Sequence, residues 1–196
     1  MSHFDETGIL HMPVSRRDCL KGLGVGALAA SLPLIDIKPA FAMKQVKSYR
    51  VAFRNAHTGE SFNGVYRVGN KYLPEAFERI NVVLRDFRAG IIYPIDPRVI
   101  DIITAVQKMT GEHEAFDVIS GYRTPKTNSM LRTEGGRKSG VAKHSLHMTG
   151  QAIDLRLPGY STRRIRDLGI KLHAGGVGYY RKSDFVHLDS GDVRTW

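Results

Sequence analysis

The 196-residue chain is 42% hydrophobic and 24% charged, with 20 glycines and 8 prolines, a balance that excludes a collagen-like, disordered or disulfide-scaffold protein. Its 29 basic and 19 acidic residues give a formal charge of +10, and its one cysteine, Cys19, has no internal partner for a disulfide. There is no run of 18 or more apolar residues, which excludes a multi-span membrane protein and leaves a soluble, basic globular chain.

In chain order, the first informative segment is Ser15-Arg16-Arg17-Asp18-Cys19-Leu20-Lys21. A weakly apolar run from Gly22 to Ile35 follows, and then Ala40-Phe41-Ala42. A basic start, an apolar run and a small-x-small site in that order form an export signal, here removed after Ala42. The run is too short and too rich in glycine to span a bilayer, so no stable membrane anchor is expected. The paired arginines with Leu20 and Lys21 resemble a twin-arginine signal, with Cys19 where phenylalanine is more usual. Lys38 fits the same route, since a basic residue near the cleavage point disfavours general secretion. The competing reading is an amphipathic helix that stays on the protein. The expected organisation is a leader over 1–42, handled by the twin-arginine export machinery, and a mature domain over 43–196 in the periplasm. The leader holds four residues of each sign, so the mature domain keeps the charge of +10. Lacking cysteine, that domain folds on a packed core alone; a chain of its length buries roughly 70% of its unfolded surface.

The mature domain reads as short strands and helices. Tyr49 to Asn55 and Ser61 to Tyr72 are strand-like around a His57-Thr58-Gly59 turn, with a second turn near Gly69-Asn70. Pro74 opens a helix with Phe77, Ile80, Leu84 and Phe87 at helical spacing. Asp96-Pro97 caps the next, which carries Val99, Ile103 and Val106 and stops at Gly111. Phe116 to Ser120 is a strand, Thr124-Pro125 starts a short helix, and residues 134–143 form a basic, flexible loop. Gln151 to Leu157 is a strand, Ser161 caps a helix with Ile165, Leu168 and Leu172 inward, and 177–180 with 185–189 make a hairpin. The expected fold is α+β: an antiparallel sheet with flanking helices.

Chemistry concentrates in the last third. Ser145-Leu146-His147-Met148-Thr149-Gly150-Gln151-Ala152-Ile153-Asp154 sets a histidine seven residues before an aspartate. Strand alternation turns Ile153, Leu155 and Leu157 to one face and Asp154 to the other. In the later strand it turns Val186 and Leu188 one way and His187 the other. If both strands share a sheet with their apolar faces on the helices, Asp154 and His187 point the same way, and His147 can curl over to meet them. Taken singly, a histidine before a strand is usually a polar loop residue and a strand aspartate is usually solvated. Together with Ser145, Gly150 and Ala152 the pattern has five fixed positions, a coincidence on the order of one in ten thousand chains at average residue usage. Two imidazoles and a carboxylate form a catalytic zinc set with the fourth position open to water.

Ser-x-His-x-x-Gly-x-Ala-x-Asp, followed by Asp-x-x-His at 184–187, resembles the zinc D-alanyl-D-alanine peptidases, family M-fifteen, which include lysostaphin-like and hedgehog-like relatives. Gly178-Tyr179-Tyr180 and Ser120-Gly121-Tyr122-Arg123-Thr124 resemble the murein endopeptidase branch. The likeness covers the chain from about Tyr49 onward. It implies that His147, Asp154 and His187 ligate Zn2+, that Asp184 is the general base, and that Arg123 polarises the scissile carbonyl. Some relatives carry His-x-His at the last ligand, where this chain has Phe185. The resemblance implies hydrolysis of peptidoglycan cross-links during cell-wall remodelling, without a covalent intermediate.

Stem peptides carry free carboxylates, which suits a +10 protein. Arg137, Lys138 and Lys143 either add to that attraction or form a solvated loop. Nucleic acid is not an expected partner, given the export signal and the lack of interleaved aromatic and basic residues. The alternatives are an exported zinc-holding wall-binding module without hydrolysis, and a D-Ala-D-Ala carboxypeptidase. Arg123 and Asp184 argue against the first, since a structural zinc site needs neither. His144 is expected to be solvated, Ser145 to brace its loop, and His57, His113 and His173 to be structural or exposed. Asp189 is open between orienting His187 and facing solvent.

Overall fold

Ser48–Asn55 (β1) and Ser61–Val68 (β2) pair antiparallel around the tight turn at Gly59, and Lys71–Tyr72 (β3) folds back on β2. The computed structural model describes residues 46–135 and 140–196. The expected leader over 1–42, and Arg137 and Lys138 of the basic loop, lie outside the described residues. Among the described residues no helix is long and apolar enough to cross a membrane.

Pro74–Val83 (α1) ends sooner than its apolar spacing suggests. Leu84 leaves the helix because its carbonyl accepts Tyr122 N at 2.7 Å. Phe87 then stacks on His57, with ring centroids 4.3 Å apart, instead of extending the helical stripe. Pro97–Thr110 (α2) follows its sequence signals at both ends: Asp96 accepts Arg98 N at its start, and Gly111 closes it at φ 76°. Phe116–Ser120 (β4) leads to Pro125–Glu134 (α3), capped by Thr124. Ala152–Arg156 (β5), Thr162–Leu172 (α4), Gly176–Tyr180 (β6) and Phe185–Asp189 (β7) follow, and Arg194–Thr195 (β8) ends the sheet. Ser161 precedes α4 without a capping side-chain bond.

The strands form one sheet in the order β3-β2-β1-β4-β5-β7-β6-β8. The expected α+β class holds, but the sheet is mixed. β1 and β4 run parallel, because the chain crosses over through α1 and α2 between them. β6 and β8 are also parallel: β7 reverses the chain, which returns on the far side of β6. The short β8 had no sequence signal.

Helices α1, α2 and α4 cover one face of the sheet. Phe53, Phe116, Val118, Ile153, Leu155, Val186 and Leu188 meet Ile80, Val99, Ile100, Ile103 and Ile165 there, all essentially inaccessible to water. Each such side chain contributes about 1.5–3 kcal/mol on burial. That core fixes the sheet, and with it the polar row on the opposite face. There Asp154 pairs with His187 in register, and His187 with Gly178.

Candidate metal centre

The site begins with the turn before β5. Ser145 accepts His147 N, and one turn of 3-10 helix, Leu146–Thr149, ends at Gly150 with φ 68°. A side chain at Gly150 would meet Pro94 O at 2.2 Å, so only glycine lets this turn press against the loop before α2. The turn drives His147 inward until no part of it is exposed. Its Nδ1 donates to Gly121 O at 2.7 Å, and its backbone carbonyl accepts Arg123 N at 3.1 Å. The glycine-tyrosine-arginine segment is thereby tied to the same point.

From the neighbouring strands, Asp154 and His187 reach the same spot, both buried. His187 Nε2 donates to Asp189 Oδ2 at 2.9 Å. Asp189 is fully buried and saturated: it also accepts Gly176 N and Gly191 N at 2.9 Å, and Arg194 Nη2 at 2.7 Å. Burial opposes its ionisation, but the His187 bond and the two backbone amides hold its carboxyl down at about 2. Asp189 therefore orients His187 and does not face solvent.

These outer bonds fix both tautomers. Gly121 O can only accept, so His147 carries its proton on Nδ1; ionised Asp189 can only accept, so His187 carries its proton on Nε2. The unprotonated nitrogens then face each other and Asp154. His147 Nε2 lies 3.1 Å from His187 Nδ1 and 3.2 Å from Asp154 Oδ1, and His187 Nδ1 lies 2.9 Å from Asp154 Oδ1. With both imidazoles neutral, three lone pairs converge with no proton among them, an arrangement that calls for a cation, whether a shared proton or a metal ion. Donors about 2.0–2.2 Å from a tetrahedral ion sit roughly 3.3–3.6 Å apart, so the triangle needs little adjustment to take one. Burial pushes the His147 pKa down. Burial has the same tendency at His187, but Asp154 and Asp189 outweigh it and raise the pKa. Asp154 ionises far below its usual range: burial opposes this, and the two imidazoles prevail. Among the described residues, these three form the one cluster of potential metal ligands.

A cavity of about 200 Å³ opens over the cluster, lined by Arg123, His144, Ser145, Tyr180, Phe185 and Trp196 as well as Asp154 and His187. Arg123 is 8% exposed; it donates to Ser145 Oγ at 3.2 Å, while its Nε has no partner. Burial lowers its pKa, and the charge of Asp154 opposes that shift. His144 stands exposed on the pocket wall. His57, His113 and His173 lie away from the pocket and are exposed.

Asp184 is not among the residues brought together. It is exposed, adopts φ 50°, accepts Thr162 Oγ1 at 2.8 Å at the start of α4, and does not line the cavity. Three residues without a local sequence signal do bear on the site. Asp86 is buried and accepts Thr124 N and Oγ1, both at 2.9 Å, which anchors the segment after Arg123. The other two, Arg194 and Trp196, arrive with β8.

Residues 43–196 match the family described as Peptidoglycan L,D-endopeptidase MepK. The Escherichia coli (strain K12) protein named Peptidoglycan L,D-endopeptidase MepK is 40% identical over 183 residues, 93% of this chain and 97% of that protein. The Haemophilus influenzae protein named "Probable peptidoglycan L,D-endopeptidase MepK" is 33% identical over 177 residues, 90% of this chain and 94% of that one.

Proposed function

The chain belongs to the Peptidoglycan L,D-endopeptidase MepK family, and from that premise we propose that it is a zinc metallopeptidase that hydrolyses peptide cross-links of peptidoglycan. The observation that carries the metal dependence is the convergence of His147 Nε2, Asp154 Oδ1 and His187 Nδ1, each with its lone pair turned inward. Two imidazoles and one carboxylate are the donor set of catalytic zinc. When bound, zinc supplies Lewis acidity and brings the pKa of water down to about 7.

In this reading the chain's own groups do the rest. Arg123, buried at the pocket with an unpartnered Nε, faces the scissile carbonyl and stabilises the negative charge that develops on its oxygen. Asp189 keeps His187 in the tautomer that offers Nδ1. Ser145 caps the turn of His147 and holds Arg123, which links ligand and cation in one loop. Asp184 as proton acceptor rests on the resemblance. It would have to release Thr162 to act, whereas His144 and Tyr180 already line the cavity. A module that only holds metal has no use for a buried arginine at its pocket, which favours hydrolysis over binding alone.

We also propose the leader over 1–42, twin-arginine export and a periplasmic location. They rest on Arg16-Arg17, the apolar run and Ala40-Phe41-Ala42, and the family match begins at residue 43, directly after that site. Digestion of purified, cross-linked sacculi with and without chelator tests the function. Chelator-sensitive loss of dimeric muropeptides, without loss of terminal D-Ala alone, is the expected result. Unchanged sacculi that bind the protein tightly would leave only the wall-binding module standing.

A further inference from the structure

The last described residue occupies a prepared seat. Trp196 N donates to Val177 O at 3.3 Å, and Trp196 O accepts Tyr179 N at 3.0 Å, which continues β8 along β6. Its indole lies directly over Gly178: a Cβ at Gly178 would come within 2.6–2.8 Å of three indole atoms. Gly178 stands opposite His187 in the sheet register, so the indole is set beside that ligand, with ring centroids 5.1 Å apart. Indole Nε1 donates to Tyr180 Oη at 3.1 Å. The Arg194 guanidinium lies 5.1 Å from the ring centroid while its amino groups bind Asp189.

The ring is therefore held by backbone, a hydrogen bond and a cation, yet Trp196 keeps 50% of its surface open and lines the cavity over the cluster. With its one N–H engaged by Tyr180, it offers the cavity carbon surface alone. Tyr180 and Phe185, stacked at 4.5 Å, extend that surface along the wall.

We propose that Trp196 is a substrate-contacting residue that sets specificity: an indole platform, seated on Gly178, that receives the aliphatic side chain of the peptide residue flanking the scissile amide. The matching chemistry is a methylene chain, as in a diamino acid of a stem peptide; this rests on the endopeptidase reading.

Trp196 is the only tryptophan of the chain, so its emission reports this pocket. Metal-loaded protein is mixed with a cross-linked muropeptide dimer by stopped flow and read before one turnover is complete. A saturable change in emission is expected. Trp196→Ala should keep its metal and a kcat within about threefold of the parent, while KM rises about tenfold, the cost of losing roughly 55 Å² of apolar contact. Trp196→Phe should restore most of the KM. Unmoved emission with a dimer that equilibrium dialysis finds bound overturns the proposal. So does an unchanged KM in Trp196→Ala, or a loss of kcat and metal with KM unmoved, since the ring would then only brace His187. A parent protein whose emission responds to a dimer it never cuts supports the platform and sinks the endopeptidase reading. One that cuts the dimer with emission unmoved does the reverse.

Discussion

Two regions of the molecule gather polar groups around a carboxylate on the same sheet, one half-buried and one buried. At the β2–β3 edge, Tyr66 and Tyr72 donate to the two oxygens of Asp101 at 2.7 and 2.6 Å, and Arg67 Nε approaches Oδ1 at 3.2 Å. Both tyrosine hydroxyls there meet an acceptor, while Arg67 Nε balances the charge of Asp101 without making a hydrogen bond; Tyr72 is pushed up to about 12, chiefly by burial and then by Asp101. At the β5–β7 centre, the atoms that meet at 2.9–3.2 Å are acceptors facing acceptors once both imidazoles are neutral, because their single protons are then spent outward on Gly121 and Asp189. In the first arrangement the chain itself supplies the hydroxyls and the cation that the carboxylate needs, and the group acts as a clamp between β2, β3 and α2. The second is complete only with a cation. The first is half-buried and the second buried, but what gives the second its need for a cation is the direction of its donors.

Removing an acceptor from the centre should have the largest effect. His187→Ala takes away one of three donors, so stoichiometric zinc and cross-link hydrolysis should both be lost. Metal analysis and muropeptide turnover on the purified variant check it; zinc retained near one per chain would mean that these lone pairs do not serve a metal.

Asp189→Asn attacks the same centre one bond away. The amide has one acceptor oxygen where the carboxylate uses two, so its NH2 faces donors either at Gly176 and Gly191 or at His187, the charge that fixes the tautomer is gone, and metal affinity should fall roughly 10–100-fold. Competition against a chelator of known affinity measures it. The carboxylate also predicts a pH effect. Its folded pKa of about 2 lies below the ordinary value near 3.9, so its stabilisation is complete above about pH 4 and fades as pH falls towards 2. It is worth of order 2 kcal/mol. Urea unfolding of metal-free protein between pH 5 and 2 should therefore fall more steeply in the parent than in the variant.

How much of this was legible in the sequence differs between the two regions. Strand alternation put Asp154 and His187 on one face, and the register bears this out by pairing them directly. Capping signals at Asp96, Gly111 and Thr124 marked real helix ends, since such signals depend on neighbours a few residues away. The end of α1 was not legible, because Tyr122, far along the chain, captures the Leu84 carbonyl. The parallel pairings were hidden for a similar reason: they depend on where crossovers land. Nor does any local pattern announce what Asp86, Arg194 and Trp196 do at the site: Asp86 accepts from Arg88 and Ala89 in its own turn and Arg194 binds Asp192 O, but the contacts to Thr124, Asp189 and Gly178 come from other elements of the fold. The Tyr66–Tyr72–Asp101 clamp was missed because each residue alone reads as ordinary surface or core.

That clamp supplies a control of smaller effect. Tyr72→Phe deletes one hydrogen bond to Asp101, which keeps Tyr66 and Arg67. Stability should drop by about 1 kcal/mol, while zinc content and turnover stay unchanged. Denaturant titration beside metal analysis checks it, and loss of metal would join the two regions that the comparison holds apart.

The smallest effect is expected at Asp184. Sequence resemblance assigns it the proton, yet its backbone sits at φ 50°, a left-handed turn that asparagine and aspartate tolerate better than most residues. Its carboxylate accepts from Thr162 Oγ1, away from the cavity. Asp184→Asn keeps the turn and can keep the Thr162 bond while abolishing any base. If Asp184 is a turn residue that steadies α4, kcat should stay within about threefold and zinc should remain at one per chain. A general base would cost about 10²–10⁴-fold in rate with the metal still bound. The geometry supports the first outcome. The second would mean that the β6–β7 turn swings to deliver a carboxylate to the pocket, and that the centre needs a moving part as well as a cation.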